Sequence, residues 1–460
     1  KKGIQFIAES EGGKIIEGQY IPKGMVYFGT DKGERKSTGS YYTPEYIVDY
    51  IVSNTVGEKL KELTTEFEKE NNQLITDINT AFDVEEKESL NNLLEEQLLN
   101  FVKEKILKLS ILDPAMGSGH FLVNATNQVA NQITTFINSF NLQSNQISST
   151  IYWRRRVVEN CIYGVDLNPL AVELAKLSLW ILSMAKDSHL SFLNHHLKCG
   201  NSLIGTKISD IGIYPGYVRN RKSKKEITLF EQDPNFKKAV ETVIDDYLAI
   251  EERETITKDD IDFKKELLYE IDEALKPYKN VCDFHTSVYF NNNIDESEYF
   301  KRIKNFNQVQ AEPNNYFNWE LEYPEILITG DSFDCILGNP PWGVDFSFDE
   351  KDFLMEKHDE VHERTPDSFN YFMHLFYNYL NESSYLGYII PSVFLFQSEY
   401  STARKYYLTK KAYKSIINCG DNVFDVIAPC CIIIFHPNFS EKFNYLDLRD
   451  ITRENKALAL

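Results

Sequence analysis

Short apolar runs that end in acids, glycines or prolines alternate along this chain with longer stretches of helical spacing. Ile111-Leu112-Asp113, Cys161 to Asp166, His195 to Cys199 and Phe333 to Gly338 read as strands, and Leu386 to Pro391, Ser415 to Cys419 and Cys431 to Phe435 continue the series. A helix follows the Gly117-Ser118-Gly119 turn, and another runs from Leu170 to Ala185 with Asn168 as cap and Pro169 in its first position. Residues 350–382 look helical, as do Ser401 to Ala412. This alternation predicts an open α/β sheet.

Other segments interrupt or precede that rhythm. Residues 1–36 carry no strong period and read as an entry segment. Thr43 is a natural N-cap and Pro44 a natural first residue for a helix over Tyr46 to Val52. Residues 57–108 predict two or three amphipathic helices, broken near Thr80-Ala81-Phe82. Residues 206–330 read as a helical insertion that opens on a basic island, Arg219, Arg221, Lys222, Lys224 and Lys225, and then turns acidic. The expected division is therefore 1–108, entry segment and helical block; 109–205, first half of the sheet; 206–330, insertion; 331–440, second half; 441–460, a tail.

The chemistry gathers where the strands end. After Phe333 to Gly338 the chain continues Asn339-Pro340-Pro341-Trp342, and two prolines cannot extend a sheet ladder. Asn339 and Trp342 are thus left at the carboxyl edge, where open α/β sheets place ligands. An Asn amide beside a Pro carbonyl offers two acceptors, and the indole offers a flat face. That set suits a planar molecule with an exocyclic amino group, adenine above all. In Asp113-Pro114-Ala115-Met116-Gly117-Ser118-Gly119 the glycines allow close backbone approach to a ligand. Asp113 would repel phosphate and attract an ammonium group, so an amino-acid-bearing cofactor is favoured over a nucleotide. Asp166 stands where Rossmann-type sheets hold ribose hydroxyls, or else it caps the next helix. Asn201 could read an adenine edge or simply form a turn. One cofactor across the first three strand ends would present its reactive group to the fourth.

Composition adjusts this picture. At 460 residues and 42% hydrophobic content the chain is globular with two or three units, and its 27 Tyr and 30 Phe give ample stacking surface. Lys and Arg total 49 against 69 Asp and Glu, a formal charge of −20, opposite to a protein that grips DNA alone. Basic patches are then local, or the main DNA-gripping part lies elsewhere. The seven Cys form no CxxC pair and read as reduced cytosolic core thiols, with no run of transmembrane length. Lys1-Lys2 without Met hints at a fragment. In His358-Asp359-Glu360-Val361-His362 the Glu is misplaced for a zinc protease, so a solvated helix face is expected and no metal is assigned. Trp153-Arg154-Arg155-Arg156 could touch phosphates or be a plain surface helix. No nuclease cluster is apparent.

The ordered motifs Tyr-Tyr-Thr-Pro (41–44), Asp-Pro-Ala-x-Gly-Ser-Gly (113–119), Val-Asp-x-Asn-Pro (165–169), Gly-Asn-Ser-Leu (200–203) and Asn-Pro-Pro-Trp (339–342) resemble those of gamma-class N6-adenine DNA methyltransferases. The likeness is to those in fused type IIG and IIL restriction–modification enzymes, over roughly residues 37–436. It implies a Rossmann-like methyltransferase sheet using S-adenosylmethionine, with 109–205 its cofactor-binding half and 331–440 its catalytic half. Thr43 and Asp113 would hold the methionine end, the turn through Ala115, Gly117 and Gly119 would line the site, Asp166 would take the ribose, and Asn201 with Ser202 the adenine side. Many relatives carry Asp where Asn201 stands. Asn339 and Pro340 would bind the target amino group, with Pro341 completing the turn, while Trp342 and Phe424 stack on the flipped base. The implied partner is double-stranded DNA, with a target-recognition domain after the last strand and a nuclease in the same parent protein or complex. A cytoplasmic enzyme with no membrane partner is expected. Asn-Pro-Pro-aromatic sites also serve protein-glutamine and RNA methyltransferases, and a cofactor-binding subunit without turnover is the non-enzymatic alternative.

Overall fold

The computed structural model describes residues 43–140, 149–184, 191–215, 234–290, 294–304, 309, 316–424, 426–440 and 442–460, with the backbone of 3–6, 14–16, 19–21 and 26–29. Eight strands form the main sheet: β1 (Ile111–Asp113), β2 (Ile162–Asp166), β3 (Leu197–Cys199), β4 (Cys335–Gly338), β5 (Tyr385–Pro391), β6 (Tyr413–Gly420), β7 (Cys430–Phe435) and β8 (Asn444–Asp447). Their order is β3-β2-β1-β4-β5-β7-β6-β8. All neighbours run parallel except β7, which is antiparallel to β5 and β6. From β1 the chain winds one way to β3 and then returns to β4 on the other side. The reversal opens a crevice at the carboxyl ends of β1 and β4, where such sheets bind ligands.

Both faces of the sheet's centre are covered, which is why β1, β4, β5 and β7 are buried along nearly their whole length rather than on alternate residues. Ile111, Leu337, Ile389 and Ile432 face one core, and Leu112, Ile336, Leu386 and Ile433 the other. The first core receives α1 (Glu45–Val52), α2 (Glu58–Glu70), α3 (Asn72–Thr80), α4 (Val84–Phe101), α5 (His120–Ser139), α6 (Thr150–Asn160) and α7 (Pro169–Ser183). The helical block between residues 57 and 108 thus packs on the sheet. Lys59 of α2 fixes it there, its Nζ lying 3.3 Å from Asp334 Oδ1 and donating to the Ser383 carbonyl at 3.0 Å. Asp334 Oδ2 is also bound by the Ser110 amide, at 3.0 Å, so one carboxylate joins the block, β1 and β4 at their amino ends.

The insertion makes a third core from α8 (Pro234–Glu252), α9 (Lys258–Ser287) and α10 (Glu296–Lys304), around Val243, Tyr247, Ile271, Val281 and Tyr299. Its flanks return to the sheet, because Phe317, Trp319 and Tyr323 pack with Tyr163 and Phe333 in the second core. Buried Glu251 seats the insertion on β2 by accepting from Tyr163 Oη at 3.3 Å and Lys108 Nζ at 3.4 Å. The second core is closed by α11 (Phe348–Lys357), α12 (Ser368–Tyr377) and α13 (Ser401–Thr409).

Several expectations change. Residues 441–460 are not a departing tail: β8 adds to the sheet beside β6, and α14 (Arg453–Ala459) returns buried Lys456, whose Nζ donates to the Cys419 carbonyl at 2.6 Å. The entry segment includes antiparallel pairs, Gly3–Phe6 with Val26–Gly29 and Lys14–Ile16 with Gln19–Ile21. Helix α11 ends at Lys357, and His358–Val361 form a turn. That turn is no solvated face, since His358 is buried with Nδ1 2.9 Å from His374 Nδ1, and burial lowers both rings' pKa values. Helix α6 buries Trp153, Arg155 and Arg156, the last two paired with buried Glu159 at 3.4 and 3.3 Å, so these charges serve the fold rather than phosphates. Six cysteines are buried, whereas Cys199 is exposed. Tyr41, Tyr42 and the island Arg219 to Lys225 lie outside the described residues. Among the described residues no helix is long and apolar enough to cross a membrane.

Candidate active site

Asp113 ends β1 and is buried, its Oδ1 accepting the Ala115 N–H at 3.1 Å. It lies directly against the last residue of β4. A Cβ on Gly338, at φ 152°, would come within 2.7 Å of Asp113 Oδ1, so only glycine admits this approach. Burial pushes the Asp113 carboxyl up to about 8; the Ala115 N–H opposes that rise and neighbouring Asp166 adds to it. A carboxyl so placed favours a cation beside it.

The glycine turn divides its work. Gly119, at φ 83°, caps α5 and abuts α7, where an added Cβ would stand 3.1 Å from Ala175 Cβ. At Gly117 an added Cβ would meet open space. Asp166, at the tip of β2, holds that turn in place: Oδ2 accepts the Gly117 N–H at 2.9 Å and Oδ1 the Asn168 N–H at 2.8 Å. Burial raises its pKa, against the pull of the two N–H groups. Asn168 then caps α7 by accepting from the Leu170 N–H at 3.0 Å.

At β3 the side chains face the fold. Asn201 Oδ1, the acceptor that an adenine amino group would need, accepts the Leu203 N–H at 3.1 Å. The Ser202 hydroxyl donates to the Pro114 carbonyl at 2.6 Å. Asn201 thus forms the turn and Ser202 is a strut between the β3 and β1 turns, while Asn201 Oδ1 keeps a second lone pair.

The β4 tip carries the most distinctive arrangement. Asn339 Nδ2 donates to Thr43 Oγ1 at 3.2 Å, while Asn339 Oδ1 is buried and accepts no hydrogen bond. Thr43 is not the cap of α1; that position is Pro44, and the buried Thr43 hydroxyl faces Asn339 instead. The turn is braced from α12, where Ser368 Oγ donates to the Pro341 carbonyl at 2.5 Å. Beside it Asp367 accepts from Tyr400 Oη at 2.9 Å. Trp342 is half-buried and meets buried Phe424 at 5.4 Å with the rings 85° apart. The two aromatics stand edge to face, so in this state they do not form the parallel slot expected of a stacking pair.

Sequence reading brought Asp113, Asp166, Asn339 and Trp342 to the edge on which they are found. It missed Ser368 and Asp367, whose position just before an aromatic helix was the available signal. It also missed Tyr388, a tyrosine within an apolar strand, paired in register with Gly338. Its buried hydroxyl has no hydrogen-bond partner, and burial, then Asp113, drives its pKa well up.

A doubly wound sheet with its reversal between β1 and β4, carrying an Asn-Pro-Pro-Trp turn on that edge, defines a Rossmann-like methyltransferase domain. Residues 160–424, more than half of the chain, match the Eco57I restriction-modification methylase family, and the chain belongs to it. Residues 85–203 also match the DNA-methyltransferase domain of MmeI. Among curated relatives, RM.MjaORFECS2P of Methanocaldococcus jannaschii, a candidate type II restriction enzyme and methyltransferase, is 29% identical over 94% of this chain and 38% of its own length. The adenine-specific methyltransferase PglX of Streptomyces coelicolor is 24% identical over 39% of this chain and 11% of its own. The chain thus spans well under half of the curated relatives it matches. Of solved structures, type IIL MmeI with DNA aligns at TM-score 0.45 and 14% identity, over 91% of this chain and 40% of MmeI. The DrdV–DNA complex aligns at 0.43 and 12%, over 92% of this chain and 29% of DrdV. Likeness at that level leaves function to the site itself.

Proposed function

We propose that this chain is the methyl-transfer unit of a site-specific DNA N6-adenine methyltransferase, working in a restriction–modification or related phage-defence system. The observation that carries the reading is the divided amide of Asn339, with Nδ2 held by Thr43 and a buried Oδ1 that accepts nothing. An acceptor fixed in this way at the ligand edge awaits an amino group. Adenine N6 is a weak nucleophile because its lone pair is delocalised into the ring. Hydrogen bonds from N6 to Asn339 Oδ1 and the Pro340 carbonyl would localise that pair and aim it, and Trp342 would offer a stacking face. A base inside a duplex cannot reach this edge, so the target must be flipped out. Phe424 would then have to turn from its edge-on contact to flank the base.

The residues fit S-adenosylmethionine, which when bound supplies an electrophilic methyl group on a sulfonium. Asp113, buried and favouring a cation, suits its ammonium group, and the open side of Gly117 suits close backbone approach. Asp166 retains a second lone pair on each oxygen for ribose hydroxyls while it steadies the glycine turn. No enzyme nucleophile or metal is needed, since positioning in a polar environment suffices.

The test is to incubate the full-length parent with labelled cofactor and duplex DNA and to identify the modified base. Label at adenine N6 is expected. Asn339→Ala should abolish it while cofactor binding and thermal stability stay near those of the wild type. Label on protein or RNA, or an Asn339→Ala chain that unfolds, would remove the reading.

A further inference from the structure

Exposed apolar side chains follow the carboxyl ends of β4, β5 and β6, on the edge that carries Asn339 and Trp342. Ile427 is 92% exposed and Val426 48%, on the loop between β6 and β7; Phe348 is 87% exposed after β4 and Phe396 59% after β5. All three loops leave the carboxyl edge of β4, β5 or β6. They also touch one another. The Ser392 N–H donates to the Pro429 carbonyl at 2.9 Å, the Arg449 guanidinium lies over the Phe396 ring at 5.8 Å, and Phe424 meets Trp342. Isolated exposed apolar residues are ordinary. Val426 and Ile427 together, two and three residues past the ring that meets Trp342, call for a ligand.

The β6–β7 loop is built as a fixed base with a projecting tip. Asn422 sits at φ 66°, Val423 and Phe424 are buried, and Pro429 is tied to the β5 loop. Between these anchors Val426 and Ile427 stand out into solvent, three residues or fewer beyond the ring that touches Trp342.

We infer that Ile427, supported by Val426, is an apolar wedge that enters the base stack of duplex DNA and fills the space left by the flipped target. The inference rests on the proposed adenine methylation and deepens it by naming how the duplex is held open. Flipping a base costs stacking and pairing, and apolar wedges of Phe, Leu, Ile or Met offset such cost in proteins that unstack DNA. A wedge must be apolar, narrow, exposed and rigidly based, close to the pocket that receives the base; Ile427 meets each condition.

The experiment compares two substrates with the full-length parent: a fully paired duplex, and the same duplex with an abasic site opposite the target adenine, which is then already unpaired. Ile427→Gly should lower kcat/KM on the paired duplex by about tenfold and leave the abasic-opposed duplex nearly unaffected. Ile427→Met, which keeps an apolar tip, should restore paired-duplex activity. With 2-aminopurine at the target position, Ile427→Gly should also reduce the fluorescence rise on binding. Wild-type kinetics for Ile427→Gly on both substrates would overturn the wedge and leave the methyltransferase reading intact. An equal loss on both substrates would also overturn it, by placing Ile427 in chemistry or folding rather than opening. If the wild type methylates neither duplex, the functional reading itself fails and the wedge falls with it.

Discussion

At the residue scale, the β-strand tips hold side chains whose surroundings set their protonation and aim. Asp113 is the clearest case, because the same burial that fits it for a cation makes its ionisation costly when none is there. Its carboxyl is raised to about 8 from an ordinary 3.8. The folded state therefore keeps this proton while the unfolded chain loses it. The stabilising contribution is fully present below about pH 4 and is lost as pH rises through 8. Without cofactor, the melting temperature should fall between pH 5 and pH 8, and Asp113→Asn, which cannot ionise, should flatten that decline. Parallel melting curves for the two proteins would show the group is not titrating. If Asp113 takes the ammonium group as proposed, S-adenosylmethionine should reduce the wild-type decline, because that charge would compensate the carboxylate.

At the element scale, the site depends on how the amino ends of the strands are tied as well as on their tips. Helix α2 reaches across to β4 through Lys59, whose side chain is 9% exposed and bridges Asp334 and the Ser383 carbonyl. The same docking brings α1, and with it Thr43, to Asn339. Lys59→Ala should cost about 1–3 kcal/mol in urea unfolding, the scale of charge-assisted hydrogen bonds left unmade. An unchanged urea midpoint would mean that apolar packing alone seats the block. The helices of this region were legible because apolar spacing is local, although the cap of α1 proved to be Pro44 rather than Thr43. The tie itself was not, since nothing near Lys59 in the sequence distinguishes it from the other lysines of α2.

At the scale of the whole molecule, charge governs what the chain can hold. With 49 basic against 69 acidic residues, the body repels a polyanion except at local patches. One sequence-level patch has gone, because Arg155 and Arg156 are buried in pairs with Glu159. Another basic stretch, Arg404 to Lys414, is partly engaged, with Arg404 donating to the Phe394 carbonyl and Lys414 paired with Glu58 at 2.9 Å. The isolated 460-residue chain should bind duplex DNA weakly, with steep salt dependence and little preference between sequences. An anisotropy titration of unrelated duplexes at fixed salt checks this. Tight, sequence-selective binding would make the insertion of α8 to α10 a reader of base edges.

The strand ends and their chemistry were determined by the sequence alone: Asp113 before the glycine turn, Asp166 before Asn168-Pro169, and Asn339-Pro340-Pro341-Trp342 closing an apolar run. Such signals are local, because a run of apolar residues stopped by proline or glycine folds as it reads. The tertiary structure alone decided which partner each polar atom would take. Thr43 found Asn339 from 296 positions away, and Ser202 found Pro114 across 88. Only the fold could place β8 either, since Asn444–Asp447 is exposed at every position and carries no apolar period; its place comes from pairing with β6. Pairing and burial are set by residues distant in sequence, so a window along the chain shows which groups need partners while the fold determines where those partners are.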